Sequence, residues 1–164
     1  MFQKNSTMIY PISEKNVVIN ENAKGPWCRL PYPNHPQGCP NYGKRKTCPP
    51  VAKKFGDLIE PPLYLAIQQF NLEFHKKKMK EKHPNWTDKQ CRNLLYWQKG
   101  VIKRLKDESY QFARTLGDNF IVLDVPEANG VQVFETCKKI GILLDKNPEK
   151  IVYKIMIIGK NKEK

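Results

Sequence analysis

Apolar residues in the second half of the chain recur at the spacings of strands and helices. Three short runs rich in β-branched and aromatic residues have the composition of strands. They cover residues 63–70, 120–125 and 151–158. Between the first two runs, apolar positions at helical spacing predict a long helix from Thr87 to about Leu116. Thr87 and Gln90 form a capping-box pattern at its start.

Shorter elements complete the pattern. They are helices over residues 73–82 and 131–140 and strand-like pieces over residues 8–10 and 17–19. Strands that alternate with helices in this way predict an α/β fold with at least three strands and packed helices. We expect a single domain over residues 1–164, with its α/β core in residues 63–159.

Residues 26–50 cannot form a helix or a central strand. They contain seven of the 13 prolines, and each proline fixes φ and removes a backbone donor. An irregular loop of this length is uncommon in a compact domain unless it is functional. Some group must therefore organise residues 26–50, which we call the cysteine loop after the three cysteines that it contains. We expect this group to be a bound metal.

Three of the five cysteines, Cys28, Cys39 and Cys48, lie in the cysteine loop with the spacing C-x10-C-x8-C. Thiolates are soft ligands that suit iron–sulfur clusters and zinc. Zinc sites usually contain a close cysteine pair, whereas long gaps fit a larger group that is touched at separated points. Gly38 and Gly43 allow sharp turns around such a group. We therefore predict an iron–sulfur cluster, of the [4Fe-4S] type, on these three cysteines.

The fourth ligand and the metal itself stay open at this point. Cys137 shares a helical face with apolar residues, so it is either a core cysteine or a ligand from the C-terminal half. His35 lies between Cys28 and Cys39 and could complete a zinc-binding set of three cysteines and one histidine. Three ordinary reduced cysteines are the remaining alternative, which would leave the loop without an organiser.

The segment from Cys39 to Pro50 contains Cys-Pro-Asn-Tyr-Gly followed by Cys-Pro-Pro. It resembles the signature of the DUF2284 family of predicted metal-binding proteins, and residues 126–134 are similar to the C-terminal region of that family. The resemblance covers residues 27–159 and implies a metal, of iron–sulfur type, on the three loop cysteines. It implies no established reaction. Many relatives carry further cysteines just after the strand that corresponds to residues 120–125; this chain has none there, so we expect no second cluster.

The chain is basic, with 29 lysine and arginine residues against 16 aspartate and glutamate residues and a net charge of +13. Most of the excess lies in residues 75–106, which also contain Trp86, Tyr96 and Trp97. Such a stretch either binds nucleic acid through phosphates and stacked bases or is a solvated helix surface.

A second basic group follows the second loop cysteine. Lys44, Arg45 and Lys46, together with Tyr42, could hold a small anionic or sulfur-containing substrate. Alternatively, these cations offset the negative charge of a thiolate-ligated cluster.

The sequence also bears on location and on reaction type. No apolar run approaches the ~18–20 residues of a membrane span, and the first residues lack the apolar core of a signal peptide. We therefore expect a cytoplasmic protein. The sequence contains no catalytic triad, Walker loop or Rossmann glycine pattern, so it leaves open whether the protein is an enzyme. Three functions remain: a cluster with an open iron for a small substrate, a four-ligand electron carrier with a redox partner protein, and a zinc-stabilised nucleic-acid-binding module.

Overall fold

A computed structural model describes residues 7–20, 25–31 and 35–163 of the chain. These residues contain a four-stranded antiparallel sheet with the strand order β1-β2-β4-β3. The strands are β1 (Met8–Ile12), β2 (Ile59–Asn71), β3 (Phe120–Leu123) and β4 (Ile151–Asn161). The helices are α1 (Phe55–Leu58), α2 (Leu72–Lys82), α3 (Asp88–Cys91), α4 (Gln98–Leu116) and α5 (Val133–Lys139). The predicted α/β fold is confirmed, since helices and sheet form one compact domain.

The long strands β2 and β4 form the centre of the sheet. Leu65 lies opposite Ile157, and Ala66 lies opposite Met156 on the other face. All four side chains are buried, because both faces of these strands are covered. This is why the sequence shows continuous apolar runs here and not a strict alternation of apolar and polar residues.

The strand β2 begins earlier than predicted. The predicted strand started at residue 63, after the two consecutive prolines, but pairing with β4 already starts at Ile59. The register shifts between Glu60 and Leu63, so Pro61 and Pro62 lie in a bulge. Proline has no N–H for the ladder, and a bulge is one of the few places where a strand tolerates it.

Each face of the sheet packs on its own cluster of buried side chains. On one face, Leu105 of α4 belongs to a cluster with Met156 of β4. On the other face, Phe55 of α1 and Cys137 of α5 form a cluster with Ile157. The cysteine loop leads directly into α1, so Phe55 anchors the end of the loop to this second cluster.

The long helix predicted from Thr87 is interrupted. The Thr87 side chain and Gln90 form the predicted capping box, but the helix that they begin, α3, ends at Cys91. A 3₁₀ turn over Leu94–Tyr96 follows, and α4 begins only at Gln98. The prediction of one continuous helix was therefore wrong in its first third.

Trp97 accounts for this interruption. Its buried ring stacks on Phe70 of β2 with 4.4 Å between ring centroids, and its Nε1 donates to the carbonyl of Arg92 at 3.2 Å. The chain leaves the helical path to reach this position, and the Asn93 side chain accepts a hydrogen bond from the N–H of Leu95 at 3.0 Å. As a result Leu95, which helical spacing assigned to the core face, is 83% exposed.

The short strands predicted near the N-terminus and at residues 120–125 are present only in part. Residues 8–10 lie in β1, as predicted, whereas residues 17–19 form no strand and Ile19 makes only an isolated bridge to Val131. The strand predicted over residues 120–125 ends at Leu123, and the next residue, Asp124, forms an ion pair with Lys106. None of the helices in the described ranges has the length and apolar character needed to cross a lipid bilayer.

Candidate functional site

Backbone hydrogen bonds hold the cysteine loop, of which residues 32–34 lie outside the described part of the chain. The N–H of Cys39 donates to the carbonyl of Cys28 at 2.7 Å, which joins the first two cysteine-bearing segments. The N–H of Gly43 donates to the carbonyl of Pro49, the residue after the third cysteine, at 2.8 Å. These bonds bring the third segment back against the turn that follows the second.

One close approach within the cysteine loop requires glycine, and a second glycine marks another contact of the loop. Gly38 has a φ of +84°, and a Cβ there would lie 2.4 Å from the carbonyl oxygen of Cys28. A Cβ on Gly25 would lie 3.8 Å from both Pro49 and the Tyr42 ring. The chain before the first cysteine therefore packs against the chain after the third, and all three cysteine-bearing segments meet.

The three loop thiols are half-buried. Burial is the main cause that raises the pKa of the Cys28 thiol, and Cys39 and Cys48 raise it further. Neither Cys91 nor Cys137 contributes to this change. The backbone contacts thus bring the three cysteine-bearing segments together.

These donors do not surround a single metal ion. Within the described ranges, no three histidine, cysteine, aspartate or glutamate side chains form a group that could hold one. The predicted zinc set of His35 with the three loop cysteines is therefore not assembled. The cysteine ligands of an iron–sulfur cluster bind different irons, so they need not converge on one point. The absence of a metal-holding group among the described residues covers Cys28, Cys39 and Cys48 as well, so an iron–sulfur cluster on these residues stays a prediction.

The other two cysteines lie in the core. Cys137 is 0% exposed and belongs to the cluster that contains Val131 and Ile157. Burial, with Glu127 nearby, raises the pKa of its thiol to about 12. The thiol is thus enclosed among buried core side chains. Cys91 is buried as well.

Of the four residues predicted to hold a substrate, Tyr42 lines a cleft of about 690 Å³ beside the cysteine loop. The guanidinium carbon of Arg29 lies 6.0 Å from the centroid of the Tyr42 ring, and Lys54 lines the same cleft. The other three predicted residues lie exposed in the turn that follows and do not line this cleft: Lys44, Arg45 and Lys46.

Sequence reasoning missed the two cations that line this cleft. Arg29 directly follows Cys28, and a cation next to a candidate ligand was a usable signal. Lys54 lies after the loop, and only the return of the chain past the third cysteine brings it to the cleft. The position of Lys54 could not be inferred from spacing.

Ion pairs neutralise part of the basic stretch over residues 75–106. Lys76 lies 2.8 Å from Asp88 and 3.0 Å from Glu149. Arg92 lies 2.8 Å from the same Glu149. These carboxylates would compete with phosphate groups for the cations, which makes the stretch less suited to nucleic acid than its composition indicates.

Comparisons with protein-family models, with curated proteins and with solved structures found no match to this chain. The resemblance of the cysteine loop to the DUF2284 family therefore stays a prediction. Any function has to be inferred from the residues of the chain itself.

Proposed function

We propose that this protein holds one iron–sulfur cluster, of the [4Fe-4S] type, through Cys28, Cys39 and Cys48, and binds a small anionic or sulfur-containing substrate beside it. The observation that carries this proposal is the backbone contact between the cysteine-bearing segments, with 2.7 Å from the Cys39 nitrogen to the Cys28 carbonyl oxygen. An irregular, proline-rich loop needs an organising group, and three neighbouring thiols supply ligands for one.

Three protein thiolates would leave one iron of the cluster open. Cys137 belongs to the core and Cys91 is buried, so we expect neither of them to close the site. When bound, a cluster with an open iron would supply a Lewis acid for a small ligand. The alternative, an electron carrier with four protein ligands and a redox partner protein, would need Cys137 or His35 as the fourth ligand.

The residues near the loop favour an anionic substrate. Arg29 and Lys54 place two cations at the cleft that Tyr42 lines, and the Tyr42 hydroxyl adds a donor and an acceptor. The exposed cations of the next turn would attract anions from a distance. A cytoplasmic location agrees with this proposal, since thiolate ligands persist in a reducing compartment.

Metal and sulfide analysis of protein purified without oxygen tests the proposal. We expect brown protein that contains both iron and acid-labile sulfide. Colourless protein with stoichiometric zinc and no sulfide would overturn the cluster and favour the zinc-stabilised module instead.

Cysteine variants then identify the ligands. Cys28→Ala, Cys39→Ala and Cys48→Ala should each lose iron and sulfide. Cys137→Ala is the matched control: it should keep the cluster and lose only about 1–3 kcal/mol of stability, because a buried side chain is shortened. If folded Cys137→Ala protein loses its cluster, Cys137 is a ligand of the fourth iron and the cluster has no open iron. His35→Ala tests the same point for the imidazole.

A further inference from the structure

The strand β4 is much longer than its neighbour β3. β3 pairs only with residues 157–160 of β4, from Leu123 opposite Ile157 to Phe120 opposite Lys160. In the part of the chain that the structure describes, residues 151–156 of β4 have no partner on that side. We call residues 151–156 the open edge.

The direction of the free backbone groups on the open edge follows from the ladder. The N–H of Asn161 donates to Asn119 on the β3 side at 2.7 Å, and the carbonyl of Lys150 accepts from Leu72 on the β2 side at 2.8 Å. Along a strand these directions alternate from one residue to the next. The N–H and C=O groups of Ile155 and Tyr153 therefore point away from β2, along the line that β3 would take if it continued.

The open edge forms the floor of a cleft of about 590 Å³, which we call the slot. All five consecutive residues from Val152 to Met156 line the slot, although neighbouring side chains point to opposite faces of the sheet. Consecutive residues can all line one cleft only when the cleft runs along the edge of the strand, where both faces of the sheet are in reach. One wall of the slot is α4, through Ile102, and the other is α5 and the segment after it, through Phe134 and Leu144.

Two polar side chains in the slot are incompletely paired. The side chain of Lys154 is half-buried, and within the described ranges no carboxylate lies at ion-pair distance from it. Burial lowers the pKa of Lys154, and the carboxylate of Glu127, which also lines the slot, only partly offsets this. The Oδ1 atom of Asp124, at the end of the slot where β3 stops, is buried without a hydrogen-bond partner.

We propose that the slot receives an extended segment of a partner protein, which joins the sheet as a strand antiparallel to β4 and carries an acidic side chain opposite Lys154. An extended backbone is the occupant that matches alternating N–H and C=O groups at strand spacing. Strand addition also covers an exposed edge, which proteins otherwise protect. The proposal does not depend on the cluster, because no loop cysteine lines the slot.

The walls of the slot specify the side chains of the partner segment. Residues directly opposite one another in a sheet share a face. Ile155 and Tyr153 lie on the face of the cluster that contains Val133, so their opposite residues should be apolar. Met156 lies on the α4 face, which also calls for an apolar residue. The expected pattern, read from the residue opposite Met156, is apolar, apolar, acidic, apolar.

Fluorescence polarisation with a labelled, end-blocked peptide of sequence Val-Val-Glu-Val-Thr tests the proposal on the full chain, purified without oxygen. In the proposed register the second residue lies opposite Ile155, and its N–H faces β4. N-methylation of that residue should weaken binding about tenfold, because it removes one ladder hydrogen bond and leaves a carbonyl unpaired. N-methylation of the glutamate is the matched control and should leave binding unchanged, because that N–H points away from β4.

The acidic position has its own test. Replacing the glutamate of the peptide by glutamine should weaken binding roughly threefold to the natural chain, but not to Lys154→Met. Three results would overturn the proposal: no binding of the peptide at millimolar concentration, equal loss for both N-methylated peptides, or displacement by a single N-acetylated amino acid amide as effective as displacement by the peptide. The last result would show a small-molecule cleft. If Lys154→Met does not fold, the comparison of the two N-methylated peptides on the natural chain still tests whether the peptide joins the sheet.

Discussion

Gly38 and Gly43 both have positive φ, at +84° and +70°, but their surroundings differ. A Cβ on Gly38 would lie 2.4 Å from the carbonyl oxygen of Cys28, whereas no atom lies within 4 Å of a Cβ on Gly43. Substitutions at the two positions therefore distinguish the strain of the backbone conformation from the loss of a contact between segments. At Gly43 only the backbone conformation is strained, while at Gly38 the contact between the first two cysteine-bearing segments is lost as well.

We predict that Gly38→Ala prevents cluster binding and that Gly43→Ala does not. Both variants should lose about 1 kcal/mol through the left-handed backbone conformation, but only Gly38→Ala has to move Cys39 away from Cys28. Iron and sulfide content, with thermal unfolding followed by circular dichroism, measures both effects. Equal iron content in the two variants would show that the contact at Gly38 does not position the ligands.

The sequence indicated both glycines as turn residues, because a proline-rich loop with glycines has to bend. The sequence could not show which of the two glycines is sterically required. Only Gly38 lies against the carbonyl of Cys28, and that carbonyl belongs to a different segment of the loop. The same limit applies to the cations near the loop: the run of Lys44, Arg45 and Lys46 is visible in the sequence, whereas the approach of Arg29 to the Tyr42 ring is not. A run of cations is visible in a sequence, but the surface that it faces is not.

Within the strand β4, Gly159 leaves room for side chains of β2. A Cβ there would lie 2.7 Å from Leu63 Cδ2 and 2.9 Å from Ile59 Cδ1. We predict that Gly159→Ala destabilises the protein by about 1–3 kcal/mol, because the two strands cannot separate without breaking the ladder. Gly100→Ala, in α4 with no atom within 4 Å of the new Cβ, should instead stabilise it by up to about 1 kcal/mol.

Urea unfolding of both variants measures these differences. The pair is informative because the chemical change is the same and only the surroundings differ. A Gly159→Ala protein as stable as the natural chain would mean that the bulge in β2 can relax to make room.

At the level of elements, the central strands could be predicted because their apolar runs are long and both faces are buried. The break before α4 could not be predicted, since it depends on Trp97 reaching Phe70 on another element. Local spacing from Cys91 onward is helical, and the tertiary contact overrides it. The open edge was equally hidden, because it depends on the strand order and on the length of β3.

For the whole molecule, the net charge of +13 overstates how many cations can bind a phosphate group, because some of them form ion pairs with carboxylates. The basic stretch contains 11 lysine and arginine residues. At least four of them, Lys76, Arg92, Lys103 and Lys106, form ion pairs with carboxylates. Trp97, which could have stacked on a base, is buried against β2.

We predict that a 20-nucleotide single-stranded RNA binds the protein weakly at ~20 mM salt and not detectably at ~150 mM salt, because few phosphate contacts are available. Fluorescence anisotropy over a salt series measures this. Replacing the exposed Lys77 and Lys78 by glutamine should flatten the salt dependence, with Lys44 and Lys46 replaced by glutamine as the charge-matched control. Binding that persists at ~150 mM salt with a slope typical of six or more contacts would restore the nucleic-acid-binding hypothesis.

The pairing of β2 with β4 also sets the order in which the chain can fold. Asn71 pairs with Ile151 and Ile59 with Asn161, so the central ladder joins residues that are about 80 or more positions apart in the sequence. During synthesis, the apolar β2 leaves the ribosome long before its main partner does. Until β4 follows, β2 can pair only with the short β1, and its other edge stays exposed to aggregation. A chain that stops before residue 151 should therefore fail to fold at all, not fold into a smaller version of the domain.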